Sequence, residues 1–313
     1  MERRKKQIKK KEVINKIRLV CIILFIVFAV AAAIADKTGL CSYEHMMSIL
    51  HLGNEYNYSD CTTVSFIDVG QGDSELISSN GHNILIDAGE SEKGAKVVSF
   101  LQTHAVDKLD YVVATHPHSD HIGGLKTVLS EYEVDHVIMP DLPDELVPSS
   151  RMFEGLLDII DEKNIDLIIA EPGQKYEVGD VKMTVLGPVA YYKDLNNSSV
   201  VLRVKHGNNT FLFMGDAENE SEKDLLNSDA VLEADVIKVG HHGSSSSSGE
   251  KFIKKVFPEY AVISCGAGNS YGHPSEKTVN IIDNTADHIY RTDLKGSVIF
   301  KSDGEHLDVS FEE

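Results

Sequence analysis

Tryptophan is absent from the 313 residues, only four are cysteine and eight proline, and positive charge is scarce, with 30 Lys and Arg against 49 Asp and Glu. Each shortage excludes something. Four cysteines cannot staple a chain of this length. Cys21 lies in an apolar run, Cys41 and Cys61 bracket a polar stretch and could pair in an oxidising compartment, and Cys265 is left unpaired at a strand end. The fold must therefore rest on a hydrophobic core, for which 42% apolar residues suffice. The net charge of −19 is also uneven. Residues 1–18 carry nine Lys and Arg against Glu2 and Glu12, a net +7, which leaves −26 for the rest. A body that acidic argues against broad, sequence-independent adhesion to nucleic acid, but not against a strand gripped locally. Only one long apolar run exists, the 17 residues Leu19–Ala35, so a multi-span channel is excluded. At 1.5 Å per residue the run is just long enough to cross a bilayer. With its basic flank cytoplasmic, it reads as a single-pass anchor that places the body outside the cell. Ala33-Ile34-Ala35 also fits a signal-peptidase site, in which case the body is secreted.

The expected organisation is thus a basic cytoplasmic tail (1–18), an anchor or signal segment (19–35), a linker (36–61) with one short helix at Tyr43–Leu52, and one large domain (62–313). In the domain, strand patterns at Thr63–Val69, Ser74–Ser78 and Asn83–Asp87 are followed by a helical pattern over Lys93–Ala105 and a buried strand, Leu109–Ala114. Hairpins around Gly179-Asp180 and Gly207-Asn208 come next, then strands Asp235–Val239 and Tyr260–Ser264, a helix over Ser275–Asn284, and three short closing strands. Antiparallel meanders giving way to β-α alternation occur twice. That predicts an α/β (α+β) domain in which two sheets pack face to face with helices outside, a four-layer αββα sandwich.

Chemistry concentrates in Thr115-His116-Pro117-His118-Ser119-Asp120-His121-Ile122-Gly123-Gly124, straight after the buried strand. Imidazole nitrogen and carboxylate oxygen suit zinc and similar divalent ions. Alternate side chains of an extended segment share a face, so His116 and His118 can reach one ion, with Asp120 and His121 near a second. The glycine pair should then open a helix over His121–Ser130. Three further strand ends carry polar residues. Asp216 follows Phe211–Met214; taken alone it reads as a helix N-cap, but with the histidine cluster upstream it reads as a carboxylate able to bridge two cations. His241 and His242 follow Asp235–Val239, one as metal ligand and one facing substrate, with His242 assigned to the metal and the order left open. His273 ends the loop after Tyr260–Ser264, beside Tyr271, as ligand or general acid. In Asp68-Val69-Gly70-Gln71-Gly72-Asp73, two glycines let the backbone approach a cleft into which Gln71 and Asp73 could point, while Asp87 suits a supporting role.

The HxHxDH cluster resembles the metallo-β-lactamase superfamily from about residue 62 onward. DVGQGD, NNSSVVLRV (Asn196–Val204), KVGHHGS and YGHP in this order resemble the ComEC-type competence-protein hydrolase branch, and are similar also to pneumococcal phosphorylcholine esterase. The resemblance implies the αββα fold, two divalent ions (zinc, with manganese as the alternative) and Asp216 as the shared ligand. β-Lactamases and tRNA-processing relatives have a further histidine between the HxHxDH loop and the bridging aspartate. Here that interval holds only His136 and His206, at unsuitable positions, and Asn196 and Ser199 occupy the expected place. A more open first metal site is therefore expected. Two cations about 3.5–4 Å apart lower the pKa of a shared water and neutralise charge on a phosphoryl oxygen. Asp120 would accept the proton, and His241 or His273 would serve the oxyanion or leaving group. The expected activity is that of a phosphodiesterase or nuclease acting on a DNA strand or a phosphorylcholine ester. Alternatives are a β-lactam or lactone hydrolase and, least of all, a non-enzymatic binding protein.

Overall fold

The computed structural model describes residues 61–312. The expected tail, apolar span, linker helix and Cys41 lie outside them. Among the described residues no helix is long and apolar enough to cross a membrane.

The first sheet begins with an antiparallel meander, β1 (Thr62–Phe66), β2 (Glu75–Ser79) and β3 (His82–Ile86). It continues through three parallel strands, β4 (Lys108–Val113), β5 (Glu133–Pro140) and β6 (Asp166–Ala170). Helices at Gly94–Thr103, Leu125–Glu131 and Arg151–Glu162 make the crossovers that parallel pairing requires. The second sheet repeats the scheme. Antiparallel β7 (Lys175–Val178), β8 (Val181–Gly187), β9 (Val201–His206) and β10 (Asn209–Phe213) precede parallel β11 (Val236–Lys238), β12 (Tyr260–Ile263) and β13 (His288–Arg291). The chain then returns to the first sheet with β14 (Ser297–Ser302) and β15 (Leu307–Glu312), giving the orders β15-β14-β1-β2-β3-β4-β5-β6 and β13-β12-β11-β10-β9-β8-β7.

The side-chain alternation of β10 shows why the sheets stack. Phe211 and Phe213 join the cluster between the sheets, while Leu212 and Met214 face the helices on the other side. Phe66 of the first sheet stacks on Phe213 at 5.8 Å between centroids and meets Phe300 edge-on. One apolar cluster lies between the sheets and one under the helices on each outer face, so the order of layers is helix, sheet, sheet, helix.

Register places the functional loops. Ile86 pairs with Val113 and Val113 with Ile138, so β3, β4 and β5 end level. Phe213, Lys238 and Val262 are level in the same way in the second sheet. The Val200 amide donates to the Thr115 carbonyl at 2.8 Å, which ties these two sets of strand ends together at one edge. One element differs from expectation. The single helix expected over His121–Ser130 is two, Ser119–Ile122 and Leu125–Glu131, broken at Gly123-Gly124. Both glycines have ordinary helical φ, so conformational freedom is not what fixes them. A side chain at 123 would overlap Ser119 O and the Ser91 amide, and one at 124 would overlap Ala88 O and crowd Gly94. Close approach of the 88–94 backbone sets the break.

Candidate metal centre

Asp216 lies at the centre of the level strand ends, with a side chain 2% exposed. Gly215 before it has φ +51°, and a side chain there would press on Ser199 and Thr115 at 3.0–3.1 Å, so only glycine delivers the turn. The two oxygens of Asp216 face different partners. Oδ1 lies 3.2 Å from His121 Nε2 and 3.5 Å from His242 Nε2. Oδ2 lies 3.8 Å from His116 Nε2 and 3.7 Å from His241 Nε2. His118 completes the second set, its Nδ1 2.9 Å from His116 Nε2, and Asp120 completes the first, its Oδ2 3.3 Å from His242 Nε2. Side chains from three loops thus meet at one carboxylate.

His241 and His242 are both left-handed, at φ 46° and 52°, strain that a non-glycine residue bears only when its surroundings enforce it. The consecutive turn directs both rings to Asp216 from the same loop. His242 is buried and meets Asp120, whereas His241 is partly exposed and meets the other oxygen. Nothing among the described residues puts a histidine from the 122–215 interval here. Asn196 lines the cleft, with Nδ2 donating to Glu218 Oε1 at 3.2 Å, and Ser199 is buried behind His116, its Oγ accepting from the Asp216 amide at 3.0 Å. His241 Nε2 instead faces Asp216 Oδ2, at 3.7 Å.

The far nitrogens of these rings are also held. His121 Nδ1 donates to Asp87 Oδ2 at 2.8 Å, and Asp87 also accepts from the Thr115 amide (2.9 Å) and hydroxyl (2.6 Å). His242 Nδ1 reaches the Ser264 carbonyl at 2.9 Å and Asp73 at 3.2 Å. His241 Nδ1 meets Glu218 Oε1 at 2.8 Å. His116 Nδ1 has only hydroxyls, Thr115 at 3.2 Å and Ser199 at 3.3 Å. Such partners fix a ring's orientation and leave its other nitrogen free to ligate.

Of the buried side-chain atoms without a hydrogen-bond partner among the described residues, His121 Nε2, His242 Nε2 and Asp216 Oδ1 converge. Orphaned buried polar atoms are rare and costly in a folded chain. The sets His116, His121, Asp216 and Asp120, His121, His242 each bring ligand atoms within 4.8 Å of one another. Nitrogen and carboxylate donors in that arrangement fit borderline divalent ions. Asp73 also falls in such sets, but Lys238 Nζ is ion-paired to it, so it serves behind the histidines and not in the cleft.

Electrostatics divides the rings. Burial opposes charge on His242, yet Asp216, Asp73 and Asp120 outweigh it and push its pKa up to about 10. Burial opposes charge on His121 too, and Asp216 and Asp73 again prevail, well above the ordinary value. His116 is held well below it by burial and then by the charge on His121, and burial lowers His118 as well. Burial would raise the Asp120 carboxyl, but His242 and His121 bring it far below the usual range, so it is ionised.

A cleft of about 280 Å³ opens on this centre, lined by Gln71, His118, Ser119, Asp120, Asn196, Asp216, His241, His242, Tyr271 and His273. Gln71 is pinned by the Gly266 amide, which donates to its Oε1 at 3.2 Å. His273 packs 5.2 Å from the His241 ring and lies in none of the ligand sets. Asp68 is not brought to the cleft; it accepts from the Gly70 amide and pairs with Lys96 at 3.1 Å. Sequence reasoning missed Glu218, Thr115 and Lys238. Lys238 had a visible signal, a lysine within the apolar strand Val236–Val239. Its ammonium is 1% exposed and donates to Gly215 O while facing Asp73 and the neighbouring Glu75.

The metallo-β-lactamase superfamily model matches residues 67–267. ComE operon protein 3 of Bacillus subtilis is 32% identical over 257 residues, covering 76% of this chain and 33% of that protein. Competence protein ComA of Neisseria gonorrhoeae is 29% identical, over 76% of this chain and 32% of the relative. The chain therefore spans about a third of the length of these relatives, which are ComEC-type competence proteins. The crystal structure of the metallo-β-lactamase fold protein YhfI from Bacillus subtilis superposes with a TM-score of 0.52 at 15% identity, over 77% of this chain and all of YhfI. With the HxHxDH loop and Asp216 meeting at the shared edge of two sheets, the chain belongs to the metallo-β-lactamase superfamily of hydrolases.

Proposed function

We propose that the protein is a dinuclear metal-dependent phosphodiesterase acting on nucleic-acid strands, carried outside the cell by a single N-terminal anchor. One observation carries the reading: Asp216 offers each of its oxygens to a different pair of imidazoles, His121 and His242 on one side and His116 and His241 on the other. His116, His118, His241 and Asp216 would hold one ion, and Asp120, His121, His242 and Asp216 the second. Zinc is expected there, with manganese as the alternative. Bound there, the ions would activate water and offset charge on a phosphoryl oxygen. The chain's own groups do the rest. Asp120, ionised and facing the cleft, accepts a proton. His273, whose pKa burial and then His241 lower, stays neutral at pH 7 and offers a hydrogen bond to the departing oxygen. Glu218 fixes the ring of His241 so that Nε2 faces Asp216. The anchor reading rests on the basic run before Leu19–Ala35.

The test is to load the full chain with Zn²⁺ or Mn²⁺ and present single-stranded DNA, bis(p-nitrophenyl) phosphate, a phosphorylcholine ester and nitrocefin. Hydrolysis of the first two with nitrocefin untouched is expected, and His118→Ala should abolish it. Turnover of nitrocefin alone, or of the choline ester alone, overturns the proposal.

A further inference from the structure

The cleft wall holds a residue that the chemistry above does not use. Tyr271 is 69% exposed, among the most exposed large side chains described, although it lines the same cleft as Asp120 and His242. Its ring stacks on His273 at 5.9 Å with the planes 24° apart, and the rest of the ring is open. The loop that carries it is rigid by construction. Asn269 Nδ2 donates to the carbonyls of Gly266 (2.9 Å) and His273 (2.6 Å), while its Oδ1 accepts from the amides of Tyr271 (3.2 Å) and His273 (3.1 Å). An aromatic already fixed in place loses little freedom when a ligand stacks on it.

We infer that Tyr271 is a stacking platform for an unpaired nucleobase, so that the substrate of the proposed phosphodiesterase is a single-stranded or short nucleotidic diester with a base beside the cleaved bond. Two features of the cleft support this. Among the described residues neither lysine nor arginine lines it, so no long basic side chain reaches along a strand's phosphates, and the acidic body adds no attraction. Affinity must come from the base, and stacking on an aromatic supplies it with little dependence on sequence. Among the described residues Tyr271 is also the one aromatic ring of Phe, Tyr or Trp type lining the cleft, whereas a quaternary ammonium calls for a cage of several. A choline headgroup is therefore the poorer fit.

The inference rests on the phosphodiesterase reading for its context, yet binding tests it separately. With metals removed by chelator, the full chain is titrated against fluorescently labelled oligothymidylate and an abasic oligonucleotide of equal length, by anisotropy at several salt concentrations. The base-bearing strand should bind about tenfold tighter, with a shallow salt dependence. Tyr271→Ala should erase the difference between the strands, and Tyr271→Phe should keep most of it. With metals restored, Tyr271→Ala should raise KM on the base-bearing strand far more than it lowers kcat. Equal binding of the two strands by the native chain, or an equal loss on both in Tyr271→Ala, overturns the inference, as does competition by glycerophosphocholine at matched concentration. A base preference that Tyr271→Ala erases, without hydrolysis of either strand, would uphold the platform and refute the phosphodiesterase.

Discussion

The two donor groups that share Asp216 are built differently. His121 and His242 are buried and backed by carboxylates, Asp87 and Asp73, and their pKa values are raised. His116 is buried but backed by the hydroxyls of Thr115 and Ser199, His118 is part-exposed, and both pKa values are lowered. A carboxylate behind an imidazole makes it more basic and a stronger ligand; a hydroxyl orients it with little change in basicity. Under the proposed function the closed group would bind its ion tightly, and the open one, with His241 and the cleft beside it, would exchange with substrate. Beneath the closed group Lys238 holds the Asp73 carboxylate, and Glu75 is pushed well above its usual pKa by burial and then by Asp73, which keeps it neutral. On the open side a carboxylate backs one ring as well, Glu218 at 2.8 Å from His241 Nδ1, so the contrast rests on His116 and His118.

The comparison is broken most completely by removing what the groups share. Asp216→Ala should lower metal content from two ions per chain to one or none and reduce turnover by about 10³-fold or more. Elemental analysis with steady-state kinetics reads both. Retention of two ions would show that the groups assemble independently, and the bridging role would fall.

Protons sharpen the difference next. In the metal-free protein His242 carries a proton up to about pH 10, whereas His116 and His118 lose theirs below the ordinary imidazole value. A ligating imidazole must be neutral, so binding at the closed group expels protons from His121 and His242, whereas His116 and His118 have none to give near neutrality. Affinity of the closed group should therefore fall about tenfold per proton for each pH unit lost, roughly a hundredfold between pH 8 and 6 for each of the two rings, His121 and His242, that must give up its proton. His116 and His118 add no such dependence to the open group over the same range. For stability the sign runs the other way. The raised His242 pKa stabilises the metal-free fold fully below about 6.5 and is lost as pH rises towards about 10. Calorimetric titration in buffers of different ionisation enthalpy counts the protons, and equal counts for both ions would remove the asymmetry.

Much of this was legible in the chain itself, for a physical reason. Strand ends such as Phe211–Met214 and Asp235–Val239 are apolar runs cut off by polar residues, and a sandwich whose parallel strands end level must bring such residues to one edge. The meeting of the HxHxDH side chains with Asp216 and His242, and the place of Asp87 behind them, could be read in that way. What could not be read depends on distances between loops. The family resemblance points to a further histidine in the 122–215 interval, whereas the ring beside Asp216 Oδ2 comes from further on, through the paired left-handed turn at His241 and His242. The break at Gly123-Gly124 depends on the 88–94 backbone pressing on it, which no local pattern reveals. Asp68 and Asp73 sit in one motif, yet one points to solvent and Lys96 while the other is buried under His242.

The smallest effects test the backing groups one at a time. Asp87 has φ +53°, a conformation asparagine tolerates, so Asp87→Asn should keep the loop while removing the charge behind His121. Loss of such a supporting carboxylate costs about 10- to 100-fold in metal affinity, and it should fall on the closed group alone. Ser199→Ala removes only a hydroxyl from behind His116, where Thr115 remains within reach, and the Asp216 amide loses its acceptor. That should cost the open group no more than roughly fivefold, about the net worth of one neutral hydrogen bond. Competition against a chromogenic chelator resolves both constants. If Ser199→Ala weakened its group as much as Asp87→Asn weakens the other, charge behind the imidazoles would not be what separates the two halves of the centre, and the burial of His121 and His242 would have to account for it alone.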